Sequence, residues 1–312
     1  MSTRELTHSP GMLLLYARAA APMLPGASRL PFVGGGGGEI PELELMVREV
    51  MVEPARLAGY LGVCGFSPSQ RLPATYPHML AFPLHMAVMA DGSFPFGPIG
   101  LVHIENRITQ HRPLLAGERL DLGVRPTALQ EHSRGRSFSL VSEARVKGEL
   151  VWEESSTMLR RESSGGAARA STPPAEQPTP SGQSGPLPTG EEWMLPEDLG
   201  RRYGAVSGDR NPIHLHALTA KPLGFPTAIA HGMWTKARCL AALERHLPDA
   251  FTVEVRFRAP IRLPGRVAFT SAGDGPAIRF EVRDPSRDSS HLEGRLEPIP
   301  DGAQTNERSS TP

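Results

Sequence analysis

Cysteine is nearly missing: the chain of 312 residues has two, Cys64 and Cys239, one in each half. Two thiols build neither a disulfide framework nor a thiolate zinc site, and they suit a reducing, cytoplasmic setting. Their flanks, YLGV and KAR, hold nothing that would activate a nucleophile, so both read as small core side chains. Net charge is missing too, since 33 Lys and Arg balance 33 Asp and Glu. Without a basic block or basic–aromatic alternation there is no electrostatic footprint for nucleic acid or a membrane surface. No run approaches the ~20 apolar residues of a membrane helix, so no membrane insertion is expected. The apolar stretch GMLLLYARAAAPML near the start is short, is interrupted by Arg18 and follows Glu5. It reads as a first helix or a lead-in rather than an export signal.

Two segments lack the large apolar residues of a core. One is the glycine run Gly34–Gly38; no Gly-Lys-Ser/Thr follows it, so it is not a phosphate-binding loop. The other, from Glu162 to Gly190, is built of Ser, Pro, Gly and Ala and cannot offset its ordering entropy by burial. It reads as a flexible linker over 162–191, between an N-terminal half (1–161) and a C-terminal half (192–298), with a similar tail at 299–312. The halves echo each other. YPHMLAFPLHMAVMA is a buried helix, followed by the strand-like runs LVHIENRI, ERLDLGVRPTAL, RSFSLVSEARV and ELVWEESSTMLRR. GMWTKARCLAALERHL is an amphipathic helix, followed by FTVEVRFRAPI, GRVAFTSA, AIRFEVRD and HLEGRLEP. A helix and four strands, twice, point to an α+β architecture of two antiparallel sheets, each wrapped around a central helix.

The densest polar chemistry lies in YGAVSGDRNPIHLHALTA, residues 203–220. Pro212 removes a backbone donor and biases Asn211 away from helix, so Asp209, Asn211 and His214 fall on a turn that can fold them to one point. A plain helix cap at Asp209 or Asn211 is the competing reading. Asp209, His214, His216 and His231 are also possible metal ligands, but their spacing fits no standard zinc or iron template, and no metal is expected. Further on, AIAHGMW places Gly232 at the start of the second amphipathic helix, where unpaired amides and the helix dipole favour an oxyanion. An acid, an imidazole and an anion hole together suit proton transfer beside a carbonyl.

These residues resemble the hydratase 2 signature of the MaoC-like dehydratases, the (R)-specific enoyl-CoA hydratases. The matching positions are Tyr203, Val206, Ser207, Gly208, Asp209, Asn211, Pro212, Ile213, His214 and Ala220, with His231-Gly232-Met233 beyond them. LPATYPHMLAFPLHMAVM and LVHIENRITQHRPLLAGE look like the first half of the double-hotdog subgroup, which lacks the catalytic residues. The resemblance implies two tandem hotdog folds and hydration of trans-2-enoyl thioesters to (3R)-hydroxyacyl thioesters, or the reverse, without a cofactor. Asp209 and His214 would hold the attacking water, Asn211 would orient them, and the Gly232 amide would polarise the thioester carbonyl. His231, Met233 and Thr235 would border the substrate.

The sequence departs from single-hotdog members that support the acid with a serine on the following helix: the aligned residue is Ala237. In the first half, His78 and His85 read as core or pocket wall, and Phe82 and Met86 as candidates to line an acyl tunnel. The substrate would be an acyl-CoA or an acyl carrier protein thioester; Arg202, Arg210, Lys221, Lys236 and Arg238 are candidate phosphate contacts, with an ordinary solvated charge the default for each singly. Two hotdogs in one chain leave a monomeric pseudo-dimer and a homodimer both open. A non-catalytic thioester-binding subunit and a thioesterase of the same fold are the alternatives.

Overall fold

The computed structural model describes residues 2–20, 38–161, 189–287 and 289–300. In chain order the first part runs β1 (Ser2–Leu6), α1 (Met12–Ala20), β2 (Leu43–Val50), α2 (Pro54–Cys64), α3 (Tyr76–Met89), β3 (Leu101–Gln110), β4 (Leu120–Pro126), β5 (Gln130–His132), β6 (Gly135–Val146) and β7 (Glu149–Arg161). The second runs β8 (Thr189–Leu195), α4 (Leu199–Ser207), α5 (Pro212–Leu215), α6 (Ala217–Ala220), α7 (Gly232–Ala242), β9 (Phe251–Phe257), β10 (Gly265–Asp274), β11 (Ala277–Arg283) and β12 (Ser290–Pro298). The helix-then-strands repeat is therefore present, with α3 before β3, β4, β6 and β7, and α7 before β9 to β12. Each repeat is also preceded by a strand and a helix that the sequence patterns did not separate, β2 and α2 in one half, β8 and α4 in the other. The apolar lead-in is a helix, α1.

The twelve strands of the described residues form one sheet in the order β1-β2-β4-β6-β7-β3-β9-β12-β11-β10-β8, with β5 on β6. Read inward from either side, β2-β4-β6-β7-β3 and β8-β10-β11-β12-β9 are the same path, so the two halves are related by a pseudo-twofold at the β3–β9 pair. That pair is antiparallel, from Glu105↔Arg256 to Gln110↔Phe251. Its outer face carries the cross-strand ion pairs Arg256–Glu105, at 3.1 Å, and Arg107–Glu254. Exposed pairs of this kind set register more than they add stability. Its inner face carries Ile108, Val253 and Val255, all buried.

α3 is buried on nearly all sides, from Tyr76 to Met89, with Pro83 inside it. A helix without a polar face needs a sheet curled around it, and the sheet supplies that. α7 lies in the same place in the other half and buries Met233 to Ala237, Cys239, Leu240 and Ala241. Cys64 and Cys239 are free and buried, as core side chains.

The expected linker falls largely on residues 162–188, and the tail on 301–312, both outside the described residues; so do residues 21–37, with most of the glycine run. At the linker's far end the strand begins sooner than composition suggested. Thr189–Leu195 pairs antiparallel with β10, and Trp193 stacks on Phe269 with ring centroids 5.0 Å apart. Past β12, the Ile299 amide still donates to the Ala250 carbonyl at 3.0 Å. Among the described residues no helix is long and apolar enough to cross a membrane.

A polar chain crosses the seam between the halves. Lys236 of α7 is fully buried and donates to the Asn106 side chain, to the Asn106 carbonyl and to the Val253 carbonyl. Asn106 donates to Glu154 at 2.6 Å and to Ser156 at 3.0 Å, and His78 of α3 meets the same carboxylate at 2.8 Å. Burial pushes the Lys236 ammonium down to about 7, with Glu154 and Glu254 opposing the shift. Burial opposes ionisation of Glu154 as well, but His78, His85 and Asn106 outweigh it and hold the carboxyl down at about 2. Lys236 is therefore no phosphate contact: its amine is spent on two strand carbonyls and an amide.

Candidate active site

The 203–220 segment folds as local chemistry dictates. α4 ends at Gly208, whose φ of +84° is the left-handed conformation that glycine adopts at helix ends. The chain then turns at Asp209, and Asn211 caps α5, its Oδ1 accepting from the Ile213 amide at 3.4 Å with Pro212 in the first turn. The cap reading is thus right for Asn211, while Asp209 is left for other work. His214 lies on α5, whose carbonyl at Ile213 accepts from the Ile229 amide at 3.0 Å. Residues 228–230 are pinned in turn to 261–263, Ala230 N to Ile261 O at 2.9 Å and Leu263 N to Ala228 O at 2.8 Å.

α4 makes room for this loop with glycines four residues apart. A Cβ on Gly200 would lie 1.8 Å from the His214 carbonyl oxygen, and one on Gly204 would lie 2.7 Å from the Asp209 carbonyl oxygen. Backbone packs directly on backbone there, which only glycine permits.

The structure brings Asp209, His214 and His231 together, with one ligating atom of each within 4.8 Å of the others. His214 Nδ1 is 2.8 Å from the Ile229 carbonyl, so Nδ1 carries the proton and Nε2 is left as an acceptor. His231 Nε2 donates to the Asp209 backbone carbonyl at 3.0 Å and lies 3.8 Å from Asp209 Oδ2. The His214 and His231 rings stack at 3.7 Å, and Tyr203 packs on His231 at 4.8 Å. Stacked rings send their lone pairs along parallel planes, which suits separate hydrogen bonds better than a shared ion. His216 is exposed and meets Arg201 instead.

Asp209 keeps 26% of its side chain exposed, whereas His231 keeps 2%. Burial works against the Asp209 carboxylate, but His231, His214, the Asn211 amide and Tyr16 together hold its pKa below the ordinary value. Burial lowers His214, with Asp209 and the Ile229 carbonyl in opposition, and pushes His231 down to about 3 with help from His214. The centre at neutral pH is one carboxylate beside two neutral imidazoles.

α7 starts at Gly232, and no side chain caps its first amides. Because His231 precedes Gly232 and stacks on His214, the helix start is held next to the acid–imidazole pair. The Phe257 ring covers the Gly232 Cα: a Cβ there would be 2.9 Å from its Cε1. Met233 and Thr235 are buried, the Thr235 hydroxyl donating back to the His231 carbonyl at 3.1 Å. His231 is buried with them. Phe82 is half-buried, 6.3 Å from the His78 ring, and Met86 is buried; both lie in the first half's core. Two clefts, of about 370 and 100 Å³, are bordered by neither Asp209 nor His214.

Sequence reasoning missed Tyr16 and Arg56. Tyr16 of α1 places its hydroxyl 3.2 Å from Asp209 Oδ1. Arg56 of α2 donates to the Val206 carbonyl at 2.7 Å and the Ser207 carbonyl at 3.1 Å. Neither has a signal in the sequence, since their partners lie 150 or more residues away.

Two helices wrapped by one continuous sheet define a double-hotdog protein. A Mycobacterium tuberculosis protein described as having a double hotdog fold shares this architecture at 13% identity, with a TM-score of 0.51 over 85% of this chain and 98% of that one. Residues 177–293 match the MaoC like domain model. Over 267 residues the chain is 36% identical to 3-hydroxyacyl-thioester dehydratase X of Mycobacterium tuberculosis, covering 85% of this chain and 91% of that protein. The crystal structure of HtdX from the same organism superposes with a TM-score of 0.71 at 33% identity, over 82% of this chain and 100% of that one. The chain belongs to the MaoC-like dehydratase family.

Proposed function

We propose that this protein is a hydro-lyase that interconverts trans-2-enoyl thioesters and (3R)-hydroxyacyl thioesters, with residues 192–298 carrying the chemistry and residues 1–161 serving as a non-catalytic half. The observation that carries this reading is the approach of the Asp209 carboxylate to the His214 ring, with Nδ1 of that ring tied to a carbonyl. Both groups then accept hydrogen bonds, and a water donating one proton to each has its oxygen lone pairs free for carbon. In the forward direction the oxygen adds to C3, the pair takes up one water proton, and one proton is delivered to C2, so the enzyme ends as it began. Negative charge builds on the thioester oxygen, where the first amides of α7 would receive it. The name of the 36%-identical relative, a 3-hydroxyacyl-thioester dehydratase, supports the same substrate class.

The test is loss of the enoyl thioester absorbance when protein is added to crotonyl-CoA or decenoyl-CoA, with the chirality of the product determined. Asp209→Asn and His214→Gln should each lower the rate by about 10²-fold or more while the fold is kept. Release of CoA thiol without hydration would reassign the protein as a thioesterase.

A further inference from the structure

The acid of the pair is held by the half that does no chemistry. α1 buries Leu15 and Ala19 in the core and sets the half-buried Tyr16 against the loop after α4. The Tyr16 oxygen accepts from the Arg210 amide at 2.6 Å, and its hydrogen faces Asp209 Oδ1 at 3.2 Å, with the Gly208 carbonyl at 3.4 Å. The bond to the charged oxygen is the stronger of the two. With Arg56 on the carbonyls of 206 and 207, two side chains from the first half hold five consecutive residues, 206 to 210. Asp209 Oδ1 also accepts from the Asn211 amide at 3.1 Å. Two donors on Oδ1 fix the plane of the carboxylate and leave Oδ2 turned toward the imidazoles.

We infer that Tyr16 is a positioning residue for the reaction: its hydroxyl, reaching across from the first half, holds Asp209 Oδ1 so that Oδ2 meets the water. This rests on the hydratase reading above. The titratable groups that act on Asp209 are His231 at the start of α7, His214 from α5, Tyr16 from α1 and Tyr203 from α4, while the Arg56 guanidinium of α2 lies on the carbonyls of 206 and 207. Among the side chains it is Tyr16 that donates to Oδ1.

The test is Tyr16→Phe in the full chain, which keeps the ring and removes the donor. A hydrogen bond to a charged group contributes enough that kcat for crotonyl-CoA hydration should fall about tenfold, with KM changed less than about twofold. In protein labelled with ¹³C at aspartate Cγ, the Asp209 resonance, identified by its loss in Asp209→Asn, should protonate at higher pH in the variant than in the wild type. Incorporation of 3-fluorotyrosine at position 16 preserves the shape with a more acidic phenol, and should move that titration to lower pH. If wild-type protein hydrates the substrate and both replacements leave kcat and the Asp209 titration unmoved, Tyr16 has no such role. A drop in kcat that tracks loss of fold, with the titration unchanged, overturns it equally. Failure of the wild type to hydrate any enoyl thioester removes the hydratase reading itself.

Discussion

Glu154→Gln tests how the two halves are tied together. In the wild type this buried carboxylate accepts from His78 at 2.8 Å and from Asn106 at 2.6 Å, and Asn106 leads on to the buried amine of Lys236. The carboxyl titrates at about 2 in the fold against an ordinary 4.5. That gap favours the ionised form by about 3 kcal/mol. A depressed carboxylate adds stability that is fully present above the unfolded value, 4.5, and is lost as the pH falls toward 2. Glutamine resembles the protonated acid in shape and charge, so the variant should be less stable by about 3 kcal/mol at pH 7 and should converge on the wild type in acid. Set against a usual total of about 5–15 kcal/mol, such a loss is a large shift in the urea midpoint. The assay is equilibrium unfolding in urea at pH 7 and at steps down to pH 3. Equal midpoints at pH 7, or a gap that does not narrow with acid, would refute the reasoning. Adding Lys236→Met should recover at least about 1 kcal/mol, because the stranded cation goes with its partner.

Gly200→Ala should cost activity without touching any reacting group. Its methyl group would overlap the His214 carbonyl oxygen, so α5 must shift, and a displacement of the imidazole of about 1 Å predicts roughly 10²-fold lower kcat in the same hydration assay. Phe82→Ala should open space in the first half, along the rings of Phe82, His78, His103 and Phe257 that lead to Gly232. The ratio of kcat/KM for decenoyl-CoA over crotonyl-CoA should rise about tenfold with a smaller relative change in melting; equal losses on both substrates would place Phe82 in the core alone.

What was legible in the sequence is what chain-local chemistry decides. Gly208, Asp209, Asn211 and Pro212 make a helix stop, a turn, a cap and a first helical residue within five positions, so their spacing reports a shape directly. The repeat was legible because each half meets the same demand, one apolar helix inside strands that alternate. β2 was readable in principle, since Leu43, Leu45 and Val47 alternate as buried residues, and α2 has proline in its first turn and Gly65 at its end. What was not legible depends on contacts between distant segments. Lys236 sits in an amphipathic helix pattern and reads as a surface charge until β3 and β9 bring two carbonyls and an amide to it. Tyr16 reads as one more apolar residue of the lead-in until α1 is laid on the loop at 209. The 3.7 Å stacking of His231 on His214 likewise joins residues that the sequence keeps 17 positions apart.

These distant contacts run in both directions, so each half holds part of the other in place. In a pair of identical subunits every residue must serve both as reactive group and as neighbour. In a tandem chain the two duties separate. The first half sends Tyr16 and Arg56 onto the loop at 206–210; the second sends Lys236 to Asn106 and, through it, to Glu154. The same seam joins β3 to β9 by six residue pairs. Severed from its partner, the second half would carry a bare strand edge at β9, a buried ammonium without its carboxylate, and an Asp209 whose Oδ1 has lost its side-chain donor. Each of those losses is local to the seam or the loop. The first half is thus a structural requirement of the loop that carries Asp209, whatever else it does, and the pseudo-twofold sheet is what brings the two halves to that loop.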